Sequence, residues 1–243
     1  MKPFLLIATR SEDAAADSEY ASILDLGGLE ERDLHRLRLE TTPLPDLDLD
    51  AYSGIIVGGS PFTSSVPTEF KSDTQLRVEA ELGTLLDEVW DRDFPFFGAC
   101  YGIGTLARHI GGVIDGTYSE PISAPLITLT EAGQADPLLA GVPEQFEAFV
   151  GHKEACTHLP DTAVVLASSE QCPVQMFRVR TNLYGTQFHP ELTLDALVER
   201  MTVYRHAGYF PPEDFEEVRR AVSAADVSHA RRVLRNFVER YAS

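Results

Sequence analysis

Gly98-Ala-Cys100-Tyr-Gly102 places a cysteine between two glycines, where the apolar run Phe96–Ala99 gives way to the helically spaced segment Ile103–Ile110. A side chain held at the tip of so sharp a strand-to-helix turn needs neighbours without a Cβ two residues to either side, which is the pattern of a nucleophile elbow. The helix that follows would turn unpaired backbone N–H groups toward the sulfur and favour a thiolate. Taken alone, the cysteine reads equally well as core, because cysteine is among the most buried residue types.

A second segment, Leu183-Tyr-Gly-Thr-Gln-Phe-His-Pro-Glu191, supplies the groups such a thiol needs. It reads as a strand ending in His189 and Glu191, whose side chains, two residues apart, would fall on one side of an extended chain. Pro190 has no N–H to give a sheet and marks the strand end, where open α/β sheets build their sites. The set is Cys100 as nucleophile, His189 as base and then acid, and Glu191 fixing the imidazole tautomer. A third segment, Gly54-Ile-Ile-Val-Gly-Gly-Ser-Pro61, is a short buried strand entering a glycine pair. The N–H of Gly59, with that of Tyr101, forms a candidate oxyanion hole, although a plain strand-to-loop turn has the same composition.

These residues must be carried by a scaffold, and the chain shows one. Apolar runs at Phe4–Ala8, Leu37–Leu39, Ile55–Val57 and Phe96–Ala99 alternate with amphipathic segments near Ser18–Leu26 and Gln75–Trp90, the signature of βαβ units. Beyond the elbow, Ala124–Thr130, Phe146–Val150, Val164–Ser168, Val174–Val179 and Leu183–Phe188 follow with little helix between them and suggest an antiparallel or mixed edge. From Leu194 the pattern is helical again, over Leu194–His206, Pro212–Ala224 and Ser228–Tyr241. The division is a domain over 1–193 and a helical extension over 194–243 packed on it. Its stretch Tyr204–Pro211, aromatic and basic, reads as a packing corner or a binding surface.

Composition narrows the function. With 38 acidic against 20 basic residues the chain carries a net charge of −18, which speaks against nucleic acid and against anionic membranes. No stretch approaches the roughly 20 apolar residues of a membrane span. Met1–Ala8 resembles a leader, but its apolar run has strand length and meets Ser11-Glu-Asp13 at once, so it reads as the first strand. Three widely spaced cysteines suit a reducing cytoplasm. His152, Cys156 and His158 crowd together without the spacing of common zinc sites, so neither metal nor cofactor is expected. Thr63–Thr68 is a lid or a plain surface loop; Cys172 reads as core; Gln175 and Arg178 line the site or simply alternate toward solvent.

The elbow, Tyr184–Glu191 and Val57–Pro61, in this order and spacing, resemble the class I, triad-type glutamine amidotransferase domain, most closely the glutaminase domain of GMP synthase and its free-standing relatives. The likeness runs from about Phe4 to Glu191 and continues in Leu234–Phe237. It implies a three-layer, flavodoxin-like α/β fold with a mostly parallel sheet flanked by helices. It also implies glutamine hydrolysis through a γ-glutamyl thioester, with ammonia passed to a separate acceptor. No ATP-pyrophosphatase loop or Walker motif is present in the sequence, so the resemblance points to a separate ATP-dependent synthetase as partner. Two departures qualify it. Gly104 stands where relatives carry a substrate-holding glutamine, and leaves room for a γ-glutamyl conjugate. Val150-Gly-His-Lys-Glu154 stands at the family's substrate loop, where His152, Lys153 and Glu154 would meet the glutamyl α-groups unless they form a solvated turn. A non-catalytic, regulatory partner protein is the remaining alternative.

Overall fold

The computed structural model describes residues 1–243. In chain order its elements are β1 (Phe4–Ala8), α1 (Asp13–Gly27), β2 (Leu34–Arg38), β3 (Gly54–Val57), α2 (Asp73–Arg92), β4 (Phe96–Ala99), α3 (Tyr101–His109), β5 (Val113–Asp115), β6 (Glu120–Ser123), β7 (Leu126–Leu129) and α4 (Glu131–Ala135). There follow β8 (Gln145–Glu147), β9 (Val150–His152), β10 (Ala155–His158), β11 (Ala163–Ser168), β12 (Met176–Val179), β13 (Leu183–Thr186), α5 (Leu194–Val203), α6 (Phe215–Ser223) and α7 (Arg231–Tyr241).

The runs read as strands from their apolar content, β1, β3 and β4, are buried throughout, as strands covered on both faces must be. They belong to a nine-stranded sheet of order β2-β1-β3-β4-β13-β12-β11-β7-β8. Neighbours run parallel from β2 to β13 and antiparallel from β13 to β8. The mixed edge is therefore real, and β13 is the strand at which direction changes. It sets Thr186 beside Ala99, so the chain leaves β4 at Cys100 and β13 at Gln187 from the same end of the sheet. Two small ladders, β5 with β10 and β6 with β9, were not legible as strands, being three or four residues long.

Alternation along β1 divides the core. Phe4 and Leu6 face α1 and α7, in a cluster with Ile23, Phe97, Leu234 and Phe237, while Leu5 and Ile7 pack with Val78, Leu82 and Leu86 of α2 and Leu106 of α3. The Phe237 ring lies 5.8 Å from Phe4 and 5.4 Å from Phe97. α7 is thus part of the main core, and its packing crosses the boundary drawn at 193/194. α5 and α6 build a smaller core of Leu197, Met201 and Val222 with Ile122, Phe149 and Phe210. Their starts are marked locally: the Ser72 hydroxyl caps α2 through Gln75 N–H (3.1 Å) and Thr193 caps α5 through Ala196 N–H (3.2 Å), each cap contributing about 1 kcal/mol.

At the elbow Cys100 adopts φ 52° and ψ −91°, a conformation that costs a non-glycine residue about 1–3 kcal/mol. Its N–H donates to Thr186 O at 2.7 Å, tying the turn to β13. A Cβ on Gly98 would overlap the backbone of Gly102, and one on Gly102 would lie 2.7 Å from Val57 O. Both glycines are therefore required by backbone packing. Gly104 differs: it is buried in α3, yet an added Cβ would meet nothing within 4 Å. Gly104→Ala is expected to raise stability by about 0.5–1 kcal/mol through helix propensity, whereas Gly98→Ala should destabilise by several times that amount. Denaturant unfolding of the two variants checks this contrast; equal and small effects would contradict the close approach.

Candidate active site

Cys100, His189, Ser60, Arg10 and Arg200 line one pocket at the sheet's C-terminal end. β13 stops at Thr186, so the expected strand through Glu191 is shorter than the sequence suggested. His189 is held instead by its N–H to Phe149 O (2.9 Å), and Leu192 N–H returns to His189 O (3.3 Å), so a turn rather than a pleat juxtaposes the two side chains. His189 Nδ1 lies 2.7 Å from Glu191 Oε1. Because a carboxylate accepts, Nδ1 carries the proton and Nε2 is the nitrogen left for the pocket. Burial works against the imidazolium, but the charges of Glu191 and Cys100 outweigh it and push the His189 pKa up to about 9. Burial likewise opposes ionisation of Glu191, and His189 with Arg200 overcomes it, holding this carboxyl at about 2.

Three residues around this pair were missed from sequence. Glu19 of α1 is fully buried and accepts from Arg10 Nε at 3.0 Å, with Arg200 Nη2 at 3.6 Å. Arg200 Nη1 lies 3.7 Å from Glu191 Oε1. Signals existed: Arg10 follows directly on a buried parallel strand, and Glu19 sits in the apolar row Ala15, Ala16, Ile23. Arg200 occupies the corresponding row with Ala196 and Leu197 on α5. The aromatic stretch after α5 also reaches the site, since Tyr204 and Tyr209 wall the same pocket.

The Gly59 part of the oxyanion expectation needs correction. Its N–H donates to Glu19 Oε1 at 3.2 Å, and Arg10 presses on its Cα, because the buried carboxylate needs donors on every side. Ser60, one residue on, lines the pockets to both sides of Cys100. Tyr101 opens α3, so its N–H has no acceptor a turn earlier.

The other expected binding residues are placed unequally. His152 lines the second recess beside Cys100, but both ring nitrogens are taken: Nε2 by Glu120 Oε2 (2.8 Å) and Nδ1 by the carbonyl of Glu154 (3.0 Å). Glu154 accepts from Ser64 and Ser65 N–H, 2.7 Å each, so its carboxylate clamps the Thr63–Thr68 segment and is not free to receive an ammonium group. That segment is further pinned through Ser64 O by Lys71 and Arg108, 2.9 Å each, which makes it a fastened rim. Lys153 stays available, its Nζ 4.7 Å over the Tyr209 ring. Gly104 lies within α3 and lines neither recess. Gln175 is buried against Glu120 (2.7 Å) and Arg178 pairs with Asp136 (2.9 Å), so neither reaches the pocket. Cys156 and Cys172 are buried, which pushes their thiols up to about 11 and about 12. Glu120, His152 and Cys172 bring one ligand atom each within 4.8 Å of one another, a grouping not foreseen, in which the imidazole and carboxylate already bond each other.

A cysteine on a strained strand-to-helix elbow, beside a buried histidine and carboxylate in a mixed sheet flanked by helices, is the apparatus of thiol-dependent acyl transfer. The family model "Glutamine amidotransferase class-I" matches residues 30–202, and the chain belongs to that family. Among curated relatives it is 31% identical over 180 residues to a free-standing component of the glutamine-hydrolyzing GMP synthase of Thermoplasma volcanium, covering 70% of this chain and 82% of the relative. It is 28% identical over 199 residues to the glutamine-hydrolyzing GMP synthase of Streptomyces avermitilis, covering 80% of this chain but only 35% of that longer protein. A glutamine amidotransferase from Thermotoga maritima superposes with a TM-score of 0.78 at 18% identity, covering 100% and 99% of the two chains, which shows a shared fold.

Two measurements follow from the geometry. His189 has a raised folded pKa, so its contribution is complete below its ordinary 6.5 and is lost as pH rises through about 9. Glu191 is depressed, so its contribution is complete above its ordinary 4.5 and is lost as pH falls through about 2. The Tm difference between wild type and His189→Gln should therefore peak between pH 4.5 and 6.5 and shrink on both sides; a flat difference contradicts the buried pair. Glu154→Ala should speed amide exchange at Ser64 and Ser65 at least tenfold, the release of charge-assisted bonds worth about 1.5–3 kcal/mol. Unchanged exchange would show that the clamp lies elsewhere.

Proposed function

We propose that the chain hydrolyses the side-chain amide of glutamine, with Cys100, His189 and Glu191 as its catalytic triad. The observation that carries the reading is the strained cysteine at the elbow sharing a pocket with the buried His189–Glu191 pair. The Cys100 thiolate attacks the amide carbon, and the oxyanion is received by the N–H groups of Ser60 and Tyr101. Protonated His189 delivers its Nε2 proton to the departing nitrogen, the C–N bond breaks, and a γ-glutamyl thioester remains on sulfur. Water, giving a proton to the now neutral imidazole, attacks the thioester and releases glutamate and the thiolate. Glu191 holds the ring with Nε2 toward the cysteine throughout.

The ammonia would serve a separate ATP-dependent synthetase, a reading supported by the likeness to a relative described as one component of GMP synthase. A second reading, hydrolysis of γ-glutamyl conjugates, is favoured by the open space beside Gly104. We also place the protein in a reducing, cytoplasmic setting, in keeping with three unpaired cysteines. No helix is long and apolar enough to cross a membrane.

Intact-mass analysis after treatment with a glutamine-analogue diazo-ketone tests the nucleophile. One adduct is expected on wild type and none on Cys100→Ala, with glutamate release falling at least a thousandfold in the variant. An adduct that survives the substitution, or turnover retained by it, removes the mechanism.

A further inference from the structure

Cys100 borders two recesses of different chemistry. The one toward His152 and Lys153 is polar, whereas the one on the His189 side joins an apolar wall of Ile122, Leu192 and Leu197 to two arginines, Arg10 and Arg200. Both guanidinium groups are buried, their side chains 4% and 11% exposed. Neither is fully used by the protein. Arg10 spends Nε on Glu19 and offers Nη1 to the Tyr204 hydroxyl at 3.5 Å, while Nη2 has no acceptor. Arg200 has no carboxylate oxygen nearer than 3.6 Å. Its closest polar neighbour, His189 Nδ1 at 3.4 Å, already gives its proton to Glu191 and has no lone pair to offer. Burial and the Arg10 cation both work against the Arg200 charge, so an added anion would relieve what the pair now endures.

Ammonia as leaving group calls for neither feature: it needs no apolar wall, and two cations oppose its protonated form. An amino acid needs both. We propose that this recess receives the amine half of a γ-glutamyl amino acid, its α-carboxylate between Arg10 and Arg200 and its apolar side chain on Ile122, Leu192 and Leu197. The inference rests on the γ-glutamyl thioester chemistry of the preceding subsection and changes only the leaving group. Thiolate attack forms the C–S bond, the γ-amide C–N bond breaks, and the His189 proton passes to the amino nitrogen. Water then cleaves the thioester, so that one γ-glutamyl amino acid and one water give glutamate and the free amino acid.

The experiment compares γ-glutamyl-leucine, γ-glutamyl-isopentylamide, which keeps the apolar group and lacks the carboxylate, and glutamine. The expected result is a kcat/KM for γ-glutamyl-leucine about 10- to 100-fold above that for the isopentylamide, the range of a charge-assisted contact. In Arg200→Met that ratio should collapse toward one, the ratio being read because absolute rates also respond to the loss of a neighbour of His189. Calorimetry on Cys100→Ala gives an independent reading: γ-glutamyl-leucine should bind at least tenfold more tightly than the isopentylamide. Equal constants for the two, or turnover of glutamine without turnover of the dipeptide, would overturn the inference and leave the glutaminase reading standing. Failure of all three substrates, with no diazo-ketone adduct on Cys100, would overturn both.

Discussion

Ionised groups withdrawn from water must be matched by opposite charge, and here that demand organises the molecule around its site. Arg10 follows β1, Glu19 belongs to α1, Glu191 follows β13 and Arg200 belongs to α5, so four elements meet at one cluster. With His189 as imidazolium and Cys100 as thiolate, three cations face three anions. The balance survives acylation, since the sulfur loses its charge to the thioester as the imidazole loses its proton to the leaving group. A reaction that moved net charge through so enclosed a cluster would be opposed by its own surroundings.

The backbone has a matching constraint. The Gly98–Gly102 approach lets α3 start directly at the end of β4, and the bond from Cys100 N–H to Thr186 O fixes that start against the strand that leads to His189. The unfavourable φ of Cys100 is sustained because its neighbours on both sides are committed. Position of the sulfur is therefore a property of the sheet, and position of the imidazole is a property of the turn after it.

Much of this was legible beforehand, and the reasons are physical. The elbow could be read because only glycine tolerates the close approach, and the strands β1, β3 and β4 because apolar runs of that length have few other uses. The mixed edge could be read from strands following one another without helices. His189 and Glu191 were paired correctly for an inexact reason, since a turn does the work assigned to a strand. What escaped notice was long-range polar commitment. Nothing local tells that Gly59 serves Glu19, that Glu154 clamps Ser64 and Ser65, or that His152 is claimed by Glu120, because each partner lies 30 to 90 residues away.

Phe237 sits between the rings of Phe4 and Phe97, although more than 200 residues separate it from the first of these. At roughly 5–20 residues per second of synthesis, on the order of ten seconds or more pass between the making of β1 and the making of α7. Throughout that interval the face of the sheet that α7 will cover presents phenylalanine to the cell. The chain thus acquires its nucleophile, its imidazole and its arginines before it acquires the helix that seals their foundation. Assembly from the ribosome is set by the last helix, and the nascent chain's exposure to aggregation or to chaperones is written into the order of its elements.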